Sequence, residues 1–237
     1  VRVAVGLAAL VLVSGCEQPM EDLPDAARLR RDAAIDALSL DAAYDAGPPP
    51  ACPPMRPFGP DVGDVLGTFT VYDCAGTPFE IESLCETDVV WIWEFAEWCA
   101  SCRYFADGNL DAVYSRYETA YGDRFAAVPI ITADSELNLP NEEICRELRD
   151  RYGIEAPLYF DPTGTFRDRL GGLSNDVHAI LTHGMRIEWT MQFGSPFVDA
   201  RLQETFDALD RGEAIPDANV SLDAGPLDDV AASPDAP

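Results

Sequence analysis

The chain has 237 residues, 47% hydrophobic and 10% aromatic, which is room for one domain with flanking segments and too apolar for a chain disordered throughout. Its 42 acidic residues stand against 16 basic ones, all of them arginine, for a formal net charge of −26. That sign excludes a basic footprint for nucleic acid and a polybasic grip on anionic lipid head groups.

At the start, Arg2 precedes an apolar run from Val3 to Val13. The run is too short for a transmembrane helix, which needs ~20 apolar residues, and suits the hydrophobic region of a signal peptide. Val13-Ser14-Gly15-Cys16 resembles the bacterial lipobox, in which cleavage precedes a cysteine that is then lipidated. This implies a signal peptide over 1–15, a lipid on Cys16, and an exported protein held at a periplasmic or outer-surface membrane face. Residues 16–60 are rich in Ala, Asp and Pro and read as a tether, with a weak helix over Ala26 to Leu40 at most. Residues 61–212 read as the folded domain. Residues 213–237 carry no basic residue and read as an acidic disordered tail.

Six cysteines follow Cys16: Cys52, Cys74, Cys85, Cys99, Cys102 and Cys145. An even number in an exported chain suggests disulfides. Cys99 and Cys102 are the evident pair. Cys74 and Cys85 flank a turn and are candidates for a second bridge, which leaves Cys52 and Cys145; spacing alone does not decide the connectivity.

Asp88 to Phe95 (DVVWIWEF) is a β-branched and aromatic run of strand length, followed at once by Ala96-Glu97-Trp98-Cys99-Ala100-Ser101-Cys102-Arg103 and then by a helical stretch to Tyr121. The CxxC therefore falls at a strand-to-helix junction. Unpaired N–H groups at a helix start favour an anion, which marks Cys99 as the nucleophile. Cys102, one turn later, can close a short disulfide and release a mixed-disulfide partner. A zinc site would need four ligands, and His178 and His183 lie far off in sequence. No metal and no cofactor is expected.

On these residues the chain resembles the thioredoxin superfamily, and within it the redoxin-like branch of TlpA-type thiol-disulfide oxidoreductases. Trp98-Cys99-Ala100-Ser101-Cys102 is the most specific element. Gly63-Asp64, Phe69, Asp73, Gly76 and Leu84 look like that branch's leading hairpin. Phe125 to Ile131 resembles the next parallel strand and Pro140 to Tyr152 a helix. Tyr152 to Asp161 resembles the branch's inserted strand, and Ala179-Ile180-Leu181 with Arg186 to Trp189 the terminal hairpin. Ser195-Pro196 then opens a last helix, Ser as cap and Pro at its first position, ending near Gly212. The resemblance implies an α/β fold: a thioredoxin-like central mixed β-sheet flanked by helices, with an N-terminal hairpin extension and an inserted strand-helix. It implies exchange of disulfides with protein thiols and disulfides and a redox donor or acceptor, with Cys99 and Cys102 catalytic and Trp98 beside them.

Two departures stand out. The family places a cis-proline just before the terminal hairpin, where Asn175 or Asp176 stands here; a shorter alignment would use Pro157 instead. The hairpin alignment is preferred because it employs the whole of Val177 to Gln192. The family's acidic or amide residue six positions before the first cysteine is replaced by Trp93, with Glu94 beside it. A buried Glu94 would be a proton acceptor for Cys102, whereas Glu97 reads as a solvated charge. Arg103 could help stabilise a thiolate by its charge, or sit in an exposed ion pair. Other function classes are a thiol peroxidase, disfavoured because Ala96 stands where a threonine is needed, and a non-catalytic surface lipoprotein that uses the fold as an interaction module.

Overall fold

A computed structural model of the chain describes residues 52, 54, 56–170 and 176–216. The signal peptide, Cys16, most of the tether, the weak helix and the tail beyond 216 lie outside the described residues.

One seven-stranded sheet organises the domain, in the order β2-β1-β5-β4-β3-β6-β7. In chain order the strands are β1 Thr70–Asp73, β2 Pro78–Glu80, β3 Val89–Ala96, β4 Phe125–Ala133, β5 Tyr159–Phe160, β6 Val177–Thr182 and β7 Arg186–Gln192. The helices are α1 Ala100–Ala106, α2 Asn109–Tyr121, α3 Glu142–Tyr152, α4 Thr165–Arg169 and α5 Val198–Arg211. All eight residues of β3 are buried, because it runs parallel to β4 on one side and antiparallel to β6 on the other with both faces covered. The expected terminal hairpin is β6–β7, and β1–β2 forms the leading hairpin.

Alternation along β3 splits the core into two layers. Trp91, Trp93 and Phe95 join Phe105, Leu110, Tyr117, Leu148 and Phe206 from the helices on one face. Val90 and Ile92 join Leu66, Phe69, Phe166 and Ile187 on the other.

The structure differs from the sequence expectations at four places. The helix expected over 103–121 is two helices, broken at Asp107-Gly108, where Gly108 adopts a left-handed φ of 86° that favours glycine. The last helix starts at Val198 rather than Pro196, and Ser195 does not cap it. The disulfides are Cys52–Cys85 and Cys74–Cys145, not Cys74–Cys85. The reason is the sheet: Cys74 lies in the same core layer as Cys145, whereas Cys85 and Cys52 belong to the opposite layer. The Cys52–Cys85 bond and a bridge between Phe58 and Val65 also extend the folded part back into the segment read as tether. Among the described residues, no helix is long and apolar enough to cross a membrane.

Candidate active site

The strand-to-helix turn after β3 holds Cys99 and Cys102, the two cysteines among the described residues outside a disulfide. Cys99 is the residue immediately before α1, with an extended backbone, and its sulfur accepts the Cys102 N–H at 3.4 Å. Ser101 Oγ lies 3.2 Å from the same sulfur. α1 is only seven residues long, so donors to Cys99 are these local groups rather than a long aligned dipole. Cys102 is fully buried, with Sγ 4.0 Å from the backbone carbonyl oxygen of Glu94. Burial, and then the hydrogen bond with Cys99, push the Cys102 thiol well above its ordinary range.

The structure moves two acidic residues from their expected places. Trp98 packs half-buried against the layer containing both thiols, and its Nε1 has no hydrogen-bond partner among the described residues. Glu94 is buried as expected, but the proton-acceptor role does not fit. It pairs in register with Ile130, on the sheet face of Val90 and Ile92, and its Oε1 accepts the Thr132 hydroxyl at 2.7 Å. The thiols lie on the other face, with Trp93 and Phe95. Glu97, expected to be solvated, is only 7% exposed. Its carboxylate takes the Arg151 guanidinium and the Ser135 N–H. Arg103 hydrogen-bonds the Glu97 carbonyl oxygen at 2.8 Å, which directs it away from a thiolate role.

A second constellation was not read from the sequence. Asp176, at a left-handed φ of 55°, enters β6 on the thiol face. Its Oδ1 accepts the Trp93 indole N–H at 3.0 Å and the Ser195 hydroxyl at 2.5 Å, and lies 3.1 Å from His178 Nε2. Trp91 Nε1 donates to His178 Nδ1 at 3.1 Å. An acceptor role at Nδ1 places the proton on Nε2, so His178 is neutral and donates towards Asp176 and Ser195. Burial, opposed by Asp176, pushes His178 below its ordinary range. Burial pushes the Asp176 carboxyl up, but His178, Ser195 and Trp93 together outweigh it and hold the group below the usual carboxylate range. Gly194 seals the network: a Cβ there would stand 3.0 Å from the imidazole of His178 and from Trp189. The only sequence signal was negative, an Asp where a proline was expected.

A groove of about 430 Å³ opens beside the turn, lined by Ser101, Tyr104, Phe105, Val113, Asp176 and Phe193 among others. Tyr104 is 75% exposed and Phe193 54%, aromatic rings presented to solvent at its rim.

No family model and no curated protein matches the sequence. Solved structures do match the fold. A candidate protein disulfide isomerase from Bacteroides thetaiotaomicron aligns with a TM-score of 0.53 at 16% identity, over 64% of this chain and 94% of that one. A hypothetical protein from Sinorhizobium meliloti 1021 aligns with a TM-score of 0.54 at 17% identity, over 66% and 87%. An uncharacterized conserved protein from Geobacillus kaustophilus gives 0.55 at 15%, over 66% and 86%. The chain has the thioredoxin-like fold. Within that fold the hairpin alignment holds, with β6 and β7 spanning Val177 to Gln192. The position before the thioredoxin-like hairpin is therefore Asp176. Pro157 is not the missing cis-proline, since the one cis peptide among the described residues is Arg56–Pro57.

Proposed function

We propose that the protein is an exported thiol-disulfide oxidoreductase that exchanges disulfides with partner proteins through Cys99 and Cys102. The observation that supports this best is the juxtaposition of two unpaired cysteines at the strand-to-helix turn, Cys102 N–H on Cys99 Sγ, while four others are locked in disulfides. Those two disulfides favour an oxidising compartment. The lipobox-like Val13 to Cys16 favours a lipid anchor on Cys16 and export by the segment 1–15, with a tether between anchor and domain.

In the reducing direction, the Cys99 thiolate attacks one sulfur of a partner disulfide. A Cys99–partner bond forms, the partner's S–S bond breaks, and its other sulfur leaves as a thiolate that takes up a proton. Cys102 then loses its proton and attacks Cys99 Sγ. The Cys99–Cys102 bond forms, the mixed disulfide breaks, and the second partner sulfur leaves and is protonated. Two electrons and two protons pass to the partner, and a redox donor must reduce the pair again. The reverse sequence oxidises a partner dithiol. Both sulfurs are buried, but Cys99 keeps 4% of its surface exposed where Cys102 keeps none, so Cys99 is the sulfur that meets the partner first, and the aromatic-rimmed groove beside it receives the partner's chain.

The test is the equilibrium potential of the Cys99–Cys102 pair in thiol/disulfide buffers, with alkylation and mass spectrometry reporting each cysteine. A midpoint between about −270 and about −120 mV is expected, the span of thiol-disulfide exchange proteins. A value near or below about −220 mV identifies a reductant and one near −120 mV an oxidant. A pair that resists reduction far below that span is a structural bridge, and the enzymatic reading fails.

A further inference from the structure

We propose that Asp176 is a positioning residue that prolongs the life of the mixed disulfide between Cys99 and its partner, by holding a fixed negative charge against the resolving thiol of Cys102. The inference rests on the oxidoreductase reading and specifies how its second step is controlled.

The geometry comes from β3, which holds both groups on the same face of the sheet. Trp93 donates its indole N–H to Asp176 Oδ1, and the next residue, Glu94, offers its carbonyl oxygen to Cys102 Sγ. α1 closes the site from above, with Phe105 edge-on to both Trp93 and His178, at 5.0 and 5.2 Å between ring centres. Ser101, next to Cys102, lines the same groove as Asp176. Three neutral donors fill Oδ1, and the buried Oδ2 has no hydrogen-bond partner among the described residues. These donors stabilise the carboxylate as an anion without adding a positive charge beside it, and in a site of low polarity its negative charge reaches its neighbours with little attenuation.

The other charged groups around Cys102 do not cancel it. His178 on β6 is neutral by its tautomer. Arg116 on α2, also at the groove, is engaged with Asp199 of α5. Arg103 on α1 is turned to the Glu97 carbonyl oxygen. Glu94 projects from the opposite face of the sheet, and Cys99 becomes neutral once it is bonded to the partner. The ionised Asp176 thus opposes formation of the Cys102 thiolate, which is the species that must form before the partner can leave.

The full chain, with Cys99 and Cys102 reduced and the two other disulfides kept closed, is mixed with dithionitrobenzoate. Attack by Cys99 releases one coloured thiolate at a rate proportional to reagent. Attack by Cys102 on the resulting mixed disulfide releases a second, at a rate independent of reagent. Removing the charge in Asp176→Asn and Asp176→Ser is expected to shift the pH midpoint of the second phase down by about one unit. Below that midpoint the thiolate fraction rises about tenfold while its intrinsic nucleophilicity falls about threefold, so the second phase accelerates about threefold. Melting temperatures identify the variants that keep the native fold. Folded variants with an unmoved midpoint overturn the role of Asp176. So does a wild-type second-phase midpoint at or below about 8.5, the ordinary thiol value, whatever the variants do. If the wild type releases no second thiolate at all, Cys102 does not resolve, and it is the oxidoreductase reading that fails.

Discussion

Glu97 and Arg151 tie α3 to the turn that carries Cys99 and Cys102. The carboxylate of Glu97, two residues before Cys99, meets the Arg151 guanidinium through Oε1 and accepts the Ser135 N–H at 3.0 Å through Oε2. The Glu97 side chain is 10% exposed and Arg151 43%, so the pair is half desolvated and one-sided.

Arg151→Ala leaves the Glu97 charge buried without its partner and is expected to lower unfolding free energy by about 1–2 kcal/mol. Glu97→Gln keeps an acceptor for Ser135 and is expected to cost less. Urea unfolding of the two variants checks the order; a costlier Glu97→Gln would show that the Ser135 bond, not the ion pair, anchors the turn.

Much of the architecture was legible because its signals are local. β3 is apolar at every position but Glu94 and runs straight into the CxxC turn, the pattern of a strand covered on both faces in the middle of a sheet. The hairpin at Val177 to Gln192 follows from two β-branched runs around His183-Gly184. The errors come from groups whose partners are distant. Glu94 stands one residue from the family's acidic position and is buried as that position would be, whereas parity along β3 puts it on the other face from Trp93 and Phe95. Ser195 has the local chemistry of a helix cap, but its hydroxyl is drawn to Asp176, nineteen residues away. Cys74 and Cys85 are close in sequence yet separated by the thickness of the sheet. Asp176 itself carries no local pattern; only three-dimensional convergence with Trp93, His178 and Ser195 gives it meaning.

The two structural disulfides close loops of different length, with separations of 33 residues for Cys52–Cys85 and 71 for Cys74–Cys145. Loop-closure entropy then gives about 3.5–4 and about 4–4.5 kcal/mol respectively. Replacing both cysteines of either pair by alanine should lower stability by up to those amounts, with the Cys74–Cys145 pair the costlier. Peptide mapping of the unreduced chain should recover these two links; a Cys74–Cys85 peptide would contradict the assignment.

His178 and Asp176 give the fold an acid limit in two stages. The folded pKa of His178 lies below its unfolded value of about 6.5. The unfolded state therefore binds more protons as pH falls through that value, and stability declines by up to about 1.4 kcal/mol per pH unit below it. Protonation of Nδ1 would also break the Trp91 hydrogen bond. Asp176, with its folded pKa below the unfolded one, stabilises above about 3.8 and loses that contribution only as pH falls further. Melting temperature followed from pH 8 to 5 should fall in the wild type and flatten in His178→Gln, whose amide can still accept from Trp91. An unchanged slope in that variant would assign the acid limit to other groups.

Phe193 combines backbone strain with an exposed ring. Its φ of 58° places a bulky residue in the left-handed region, where strain of about 1–3 kcal/mol is usual, and its ring stays 54% exposed. A side chain that is both strained and largely in solvent contributes little to the fold. It lines the same groove as Tyr104, where a partner chain of the proposed oxidoreductase would cover it. Asparagine tolerates the left-handed region, so Phe193→Asn should keep stability within about 1 kcal/mol of wild type. Loss of an aromatic anchor from an interface costs about 1–2 kcal/mol of binding, so kcat/KM for a disulfide-bonded protein substrate should fall about tenfold. The reaction with dithionitrobenzoate, which is too small to span the groove, should hardly change. Equal loss on both substrates would place the effect on the cysteines rather than on docking. An unchanged rate with the protein substrate would move the docking surface away from this rim.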